Sequence, residues 1–445
     1  MCRRAWISIL LPATLLAAPV GVGAQTMEEV LNGLFLFSSG GDPLFLAGSA
    51  GVAATAAHGD HFIPAETESN GALLGVFTSA ISGNIANFPL SSTVSSETFR
   101  FVGGVPTPTS NSFGPIFSER AQTLGRGRFD VGFSYSSIRF NELRGTSMDD
   151  LQLNFVHQNT DFPNCGTIFG GDCSLSGFPL WEHDVIELGL DLRIDAEIYA
   201  FNATFGVLDW LDIGIAVPVV SLAIDGASRA RIIPSQVDQP AHFFGGTQAS
   251  PILQATTTTS GSTSGIGDVA ARTKVRFLDG EVTDLAMLGE ERLPTGRVED
   301  FLGAGEASVR GLFIGSATLG DFSPHVNFGY VHRRGDLQSS SVQLAAGFDQ
   351  RLSDWSTFVI DLLGDFKTEN SLSFPGPLTF DPPIVRTVER ANIPNVRDDT
   401  LDAAIGMKVQ TSGGVVLWGN ALVSLNEGGM RSDVIATFGV QYSSR

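Results

Sequence analysis

Seven stretches of the chain alternate apolar and polar residues with a period of two, and this feature constrains the fold more than any other. Phe129, Val131, Phe133 and Tyr135 alternate with Arg128, Asp130, Gly132 and Ser134. Ile186–Ile194, Val269–Phe277, Val326–Tyr330, Leu401–Val409 and Val434–Tyr442 repeat the pattern, and Phe358–Leu362 does so less cleanly. In most of them one face is apolar and the other polar or ionisable, as in strands solvated on one face only. Beyond the first 24 residues no stretch offers the roughly 18 uninterrupted apolar residues of a membrane-spanning helix. Ile213–Ile224 comes nearest, and it is short and carries Pro218. Charged residues are nevertheless only 17% of the chain, against 51 Gly and 32 Phe. That combination leaves a secreted β-sandwich or solenoid, or an outer-membrane β-barrel whose apolar residues occupy alternate positions.

The connections choose between these. Short turns recur at Leu208–Asp212, Leu278–Glu281, Gly320–Phe322 and Ser353–Trp355. They trade places with long polar connections at Asn141–Glu182, Asp225–Ile266, Pro294–Gly305 and Asn370–Asp398. Short on one end and long on the other is the asymmetry of an outer-membrane barrel, and Trp210 and Trp355 at the tight turns fit an interfacial belt. A sandwich would want turn signals about every 8–12 residues. The pattern therefore predicts an all-β, antiparallel outer-membrane barrel of about 12 (12–14) strands. The range arises at Asp195–Tyr199, where the apolar phase slips from even to odd numbers. The slip reads either as a bulge within one very long strand or as a tight hairpin; the turn asymmetry favours one long strand, and so twelve. Glu291 falls on the expected lipid face, which is cheap only near a strand end.

The first 24 residues read as a removable export signal. Arg3 and Arg4 precede the mostly apolar run Ile7–Val20, and Val22-Gly23-Ala24 places small residues before a cut at Gln25. Without Arg3 and Arg4, 25 cations face 47 acids, a net charge of −22, which speaks against nucleic acid and against general attraction to anionic lipid. Cys2 leaves with the signal. Cys165 and Cys173 lie in a Gly-rich stretch with no His or further Cys close by, which favours a disulfide over a metal pair. Residues 25–125 have little charge and no sustained period, with short helices expected at Met27–Phe37 and Asn70–Phe88. Their apolar content predicts a partly helical plug segment resting on or inside the barrel, which would occupy 126–445.

No catalytic motif is evident. His58-Gly59-Asp60-His61 could clasp a metal, but it reads as a solvated turn with no further ligand near. No serine sits in a Gly-x-Ser-x-Gly elbow, and the Gly-rich stretches lack the Lys and setting of a phosphate cradle. The chain is therefore read as a non-enzyme without cofactor or metal. If the apolar face meets lipid, Asp191, Arg193, Asp195, Arg272, Lys274, Arg276, Arg292, Arg310, Asp361 and Asp365 line the lumen. There they either pair across the interior and hold the wall together, or bind a plug, hydrate a channel or orient a substrate.

The run Asn111–Phe129 (NSFGPIFSERAQTLGRGRF) resembles the approach to the barrel in outer-membrane proteins of the MetA-pathway-of-phenol-degradation family, distant kin of the FadL-type long-chain fatty-acid and hydrocarbon transporters. Glu291–Gly296 (ERLPTG) and Leu425–Asp433 (LNEGGMRSD) add to the resemblance, which covers roughly Phe99–Tyr442. It implies a monomeric barrel, partly plugged by its N-terminal segment, that passes hydrophobic or aromatic compounds. Twelve strands would depart from the fourteen of FadL-type barrels, and no substrate-contact residue can be carried over. The leading expectation is a passive outer-membrane conduit for small hydrophobic molecules, with outer-membrane lipid as its surroundings. The alternative is a structural or surface-binding barrel that meets a partner through its long loops.

Overall fold

The computed structural model describes residues 25–37, 68–89, 99–102, 105–108, 112–156, 184–234, 243–247, 249–334, 339–369, 374, 376–379, 385–411 and 414–444. The expected export signal, the Cys165–Cys173 pair and His58 and His61 lie outside the described residues.

Twelve antiparallel strands close into a barrel. They are β1 (Phe129–Phe140), β2 (Val185–Leu208), β3 (Leu211–Ile233), β4 (Val269–Asp279), β5 (Thr283–Leu293) and β6 (Ser308–Ala317). They continue with β7 (Phe322–Arg333), β8 (Ser341–Ser353), β9 (Ser356–Lys367), β10 (Thr400–Gln410), β11 (Val415–Ser424) and β12 (Val434–Ser443). Each pairs with its neighbour in sequence, and β12 pairs with β1 to close the ring. Closure matters because no water in the hydrocarbon layer can satisfy a free strand edge. One end carries the short turns, such as Asp209–Trp210 and Asp354–Trp355, and the other carries the long connections. These are called the turn end and the loop end below.

Outward positions form an apolar belt that includes Phe201, Phe205, Phe313, Phe328, Met407 and Phe438, all 44–58% exposed. Trp210 and Trp355 stand exposed at the turn end. Toward the loop end, the hydroxyls of Tyr135 and Tyr199 both donate to Glu197 at 2.9 Å, so each ring keeps an apolar body below and a polar tip above, as at a membrane interface. Glu291 is exposed two residues from the end of β5, where a lipid-facing charge costs little.

Strands β2 and β3 are 24 and 23 residues long, twice their neighbours. About ten residues suffice to cross the bilayer, so half of this hairpin stands beyond the barrel. In that half β2 pairs with Leu151–Val156 instead of β1, and β3 pairs with Gln254–Ile266 instead of β4. The result is a four-stranded ribbon at the loop end. The stretch Asp225–Ile266, expected as a polar connection, is therefore largely strand; Thr256, Thr258 and Ser260 face water, while Thr259 turns inward and donates to the Val30 carbonyl at 2.9 Å.

The phase slip at Asp195–Tyr199 is neither a bulge nor a hairpin. The β2–β3 register runs unbroken from Val185↔Ile233 to Gly206↔Asp212. Even-numbered residues face inward along the whole strand; the surroundings change instead. Inside the ribbon Leu188, Leu190, Leu192 and Ile194 are buried in the main apolar core. Inside the barrel the same face carries Asn202 and Thr204.

Helix α1 (Met27–Asn32) covers the ribbon's inner face. Thr26 and Glu29 form a capping box at its start, which satisfies two of the backbone donors left free at a helix N-terminus. Val30 and Leu34 approach the ribbon at Gly261 and Gly226, where an added Cβ would come within 2.5 and 2.9 Å of their side chains. Glycine is thus required for this contact. Helix α2 (Glu68–Ala86) closes the loop-end mouth with Phe77, Ile81 and Ile85 buried. No described helix is long and apolar enough to cross a membrane. The quoted turn at Pro294–Gly296 staples the wall: Asp268 accepts from Gly296 N at 3.0 Å and from Ala304 N at 2.8 Å.

Candidate lumen site

Strand alternation turns polar side chains into the lower lumen, and there they hold residues 112–126. Lys408 Nζ on β10 donates to the carbonyls of Phe113 (3.2 Å) and Pro115 (2.5 Å). Asn327 on β7 bonds both the N–H and the carbonyl of Glu119, at 2.8 and 2.7 Å. Lys274 on β4 reaches the Glu119 carboxylate at 2.8 Å and the Arg120 carbonyl at 3.1 Å. Ser316 accepts from Ala121 N at 3.0 Å, and Asp212 accepts from Leu124 N at 3.0 Å. An extended segment without ladder partners must find hydrogen bonds elsewhere, and here the wall supplies them. The segment crosses the lumen from β8–β10 to the β2–β3 turn, where Asp209 accepts from Arg126 N at 3.1 Å.

Two groups of charges, around Glu290 and Asp365, line the wall above this floor, and a third lies at the level of the floor. Glu290 on β5 accepts from Arg272 Nε (2.7 Å), Arg310 Nη2 (2.7 Å) and Arg292 Nε (3.1 Å). Asp365 on β9 accepts from Lys367 at 2.7 Å, and from Ser341 and Gln343 at 2.9 Å each, with Arg333 at 3.7 Å. His325 sits between Asp361 (2.6 Å) and Asp349 (3.5 Å), all of them buried. Ser112 Oγ bonds the Asp349 carboxylate, so the hydroxyl is paired with an acid rather than with the imidazole that nucleophilic activation requires.

Between the floor and α2 lies a cavity of about 260 Å³. Arg292 caps the C-terminal end of α2 by donating to the carbonyls of Ala86 and Phe88, where a cation meets the negative end of the helix dipole. Arg333 Nε adds a bond to Asn87 at 3.2 Å. Phe88 meets Phe117 of the floor edge-on, ring centres 6.3 Å apart. Opposite the arginines the lining is Ile138, Phe140, Leu422 and Ile435. Arg144 and Arg431 also border the cavity, each matched by an aspartate, Asp398 and Asp402.

Seven of the ten lumen residues expected from the sequence turn inward: Arg272, Lys274, Arg276, Arg292, Arg310, Asp361 and Asp365. Asp191, Arg193 and Asp195 do not. They share the odd-numbered face of β2 with Phe201 and Phe205, and stand outside the ribbon beyond Tyr135 and Tyr199. There Asp195 pairs with Arg139 and Arg193 at 2.7 Å each. The rule that the apolar face meets lipid fails for this half, because its apolar face meets α1. Sequence reading missed Glu290, Asp349, Lys408 and Asn327; for Glu290 and Asn327 the available signal was a parity shared with Arg292 and His325 on the same strands.

No protein-family model matches the chain, and no curated protein matches its sequence. Among solved structures it is similar to an outer membrane channel from Pseudomonas putida F1, at 10% identity over 73% of this chain and 98% of that one, with a TM-score of 0.41. It is also similar to a Pseudomonas aeruginosa FadL homologue (12% identity, 71% and 89% covered, TM-score 0.32). A third is the Ralstonia pickettii toluene transporter TbuX (11% identity, 81% and 100% covered, TM-score 0.27). At these identities the likeness is one of architecture.

Proposed function

We propose that the protein is a monomeric outer-membrane channel through which small hydrophobic or aromatic compounds pass without an energy source, with residues 25–125 serving as its plug. In this reading the short turns face the periplasm and the ribbon stands outside the cell. The observation that carries it is the cavity of about 260 Å³ between α2 and the 112–126 floor, with Ile138, Phe140, Leu422 and Ile435 in its lining. A lumen crossed by chain that wall side chains grip suits selective exchange better than a water-filled pore. The resemblance of Asn111–Phe129 to the MetA-pathway family supports the same reading.

The test is uptake of a labelled panel (a monoaromatic hydrocarbon, a long-chain fatty acid and a hydrophilic sugar) by cells lacking their own hydrophobic-solute channels, with and without this protein. Faster entry of the apolar compounds alone is the expected result. Equal acceleration of all three would mean an unselective pore. No change, with the barrel folded in the outer membrane, would move the function to its loops and ribbon.

A further inference from the structure

The cavity is not evenly charged. Along the wall made by β4–β9, Glu290 is shared by Arg272, Arg292 and Arg310, and Asp365 by Lys367 and Arg333. Five cations thus face two carboxylates, in a chain whose overall net charge is −20. The α2 carbonyls capped by Arg292 offset about half a charge. Across the cavity Arg144 and Arg431 are balanced by Asp398 and Asp402, so the excess is confined to one side. Arg310 is the most exposed of its arginines, at 21% against 12% for Arg292, 5% for Arg333 and 4% for Arg272, with Lys367 at 19%. Buried guanidinium groups that outnumber carboxylates are costly unless an anion joins them.

Resting on the channel reading above, we propose that this wall is a subsite for the anionic group of a compact organic acid, an arene carboxylate. The carboxylate meets Arg310, and the apolar body lies toward Ile138, Phe140 and Leu422. Size suits the class: ligand pockets usually run from roughly 300 Å³ upward, and about 260 Å³ accommodates a single substituted ring. Charge favours the ionised ring acid over the neutral arene, which leaves the excess cations unmatched. Arg recognises a planar carboxylate through paired N–H donors.

The experiment is equilibrium dialysis of the purified full-length protein with labelled benzoate and with benzamide, its neutral counterpart, at about pH 8, where the benzoate carboxyl is ionised. Flux of both compounds into proteoliposomes is measured in parallel. The wild type should bind benzoate at least about tenfold tighter than benzamide, as a charge-assisted bond implies. Arg310→Gln should erase that preference and leave benzamide unchanged, while Arg310→Lys should keep part of it. Equal or tighter binding of benzamide by the wild type overturns the subsite, and this comparison needs no variant to fold. A preference that survives in folded Arg310→Gln overturns it too. Binding without flux of either compound would instead sink the channel reading and leave the subsite standing.

Discussion

In the loop-end half of β2, Leu188, Leu190, Leu192 and Ile194 turn inward onto α1 and the core around it, while Asp191 and Arg193 face water. In the turn-end half of the same strand the inward face carries Asn202 and Thr204, and Phe201 and Phe205 point out. Nothing in the backbone changes between the halves, since the register with β3 is unbroken. Each face keeps its parity and exchanges its surroundings, from water to lipid outside and from packed chain to polar lumen inside. Alternation therefore reports that the two faces differ, not which of them is inside. That second fact depends on where the lipid ends, and the Tyr135–Glu197–Tyr199 cluster marks the place.

The largest expected effect comes from giving the ribbon's inner face the chemistry of the lumen. Leu192→Asp would bury an unpaired carboxylate among Leu34, Leu190 and Ile224, at a cost of about 4 kcal/mol or more. Thr258→Asp, on the water-facing side of the same ribbon, should stay within about 0.5 kcal/mol. Reversible urea unfolding in phospholipid bilayers measures both, and equal effects would mean that the ribbon has no apolar inside. A smaller contrast lies on the outer face. Phe201→Arg in the belt should cost roughly 2–4 kcal/mol, whereas Asp191→Arg on the same face of the same strand should cost under about 0.5 kcal/mol. If Asp191→Arg proved as damaging as Phe201→Arg, the lipid would have to reach further along β2 than the tyrosines place it.

This division explains what was legible in the sequence. Turn asymmetry and alternation gave the barrel, its twelve strands and the tight turns at Trp210 and Trp355, because those depend only on local pattern. The long β2–β3 hairpin was legible as length, but its phase slip at Asp195–Tyr199 reads as a bulge or a tight hairpin when the whole strand is set against lipid. The lumen residues divided the same way. Arg272, Lys274, Arg292 and Arg310 lie where lipid lies outside, so the rule placed them correctly; Asp191, Arg193 and Asp195 lie where it does not. Lys408 and Asn327 were invisible as plug ligands, since their partners are backbone groups of residues some 300 and 200 positions away, and no spacing rule records such contacts. The stretch Asn111–Phe129 announced a motif without revealing that it crosses the lumen.

The smallest expected effect tests the correction itself. Asp195 is 30% exposed and joins two exposed arginines, Arg139 and Arg193, at 2.7 Å each. Surface ion pairs of this kind contribute about 0–1 kcal/mol and weaken with salt. Asp195→Asn should therefore destabilise by less than about 1 kcal/mol at low ionic strength, and the difference should fade toward zero near 1 M salt. A lumen-facing Asp195 would behave otherwise, because removing the carboxylate from a buried cluster leaves its cations uncompensated at about 3–5 kcal/mol, with little response to salt. Urea titrations of the two proteins at low and high salt separate the cases by both size and slope. A large, salt-independent loss would return Asp195 to the lumen and with it the whole odd-numbered face of β2, because the unbroken register with β3 keeps that face together.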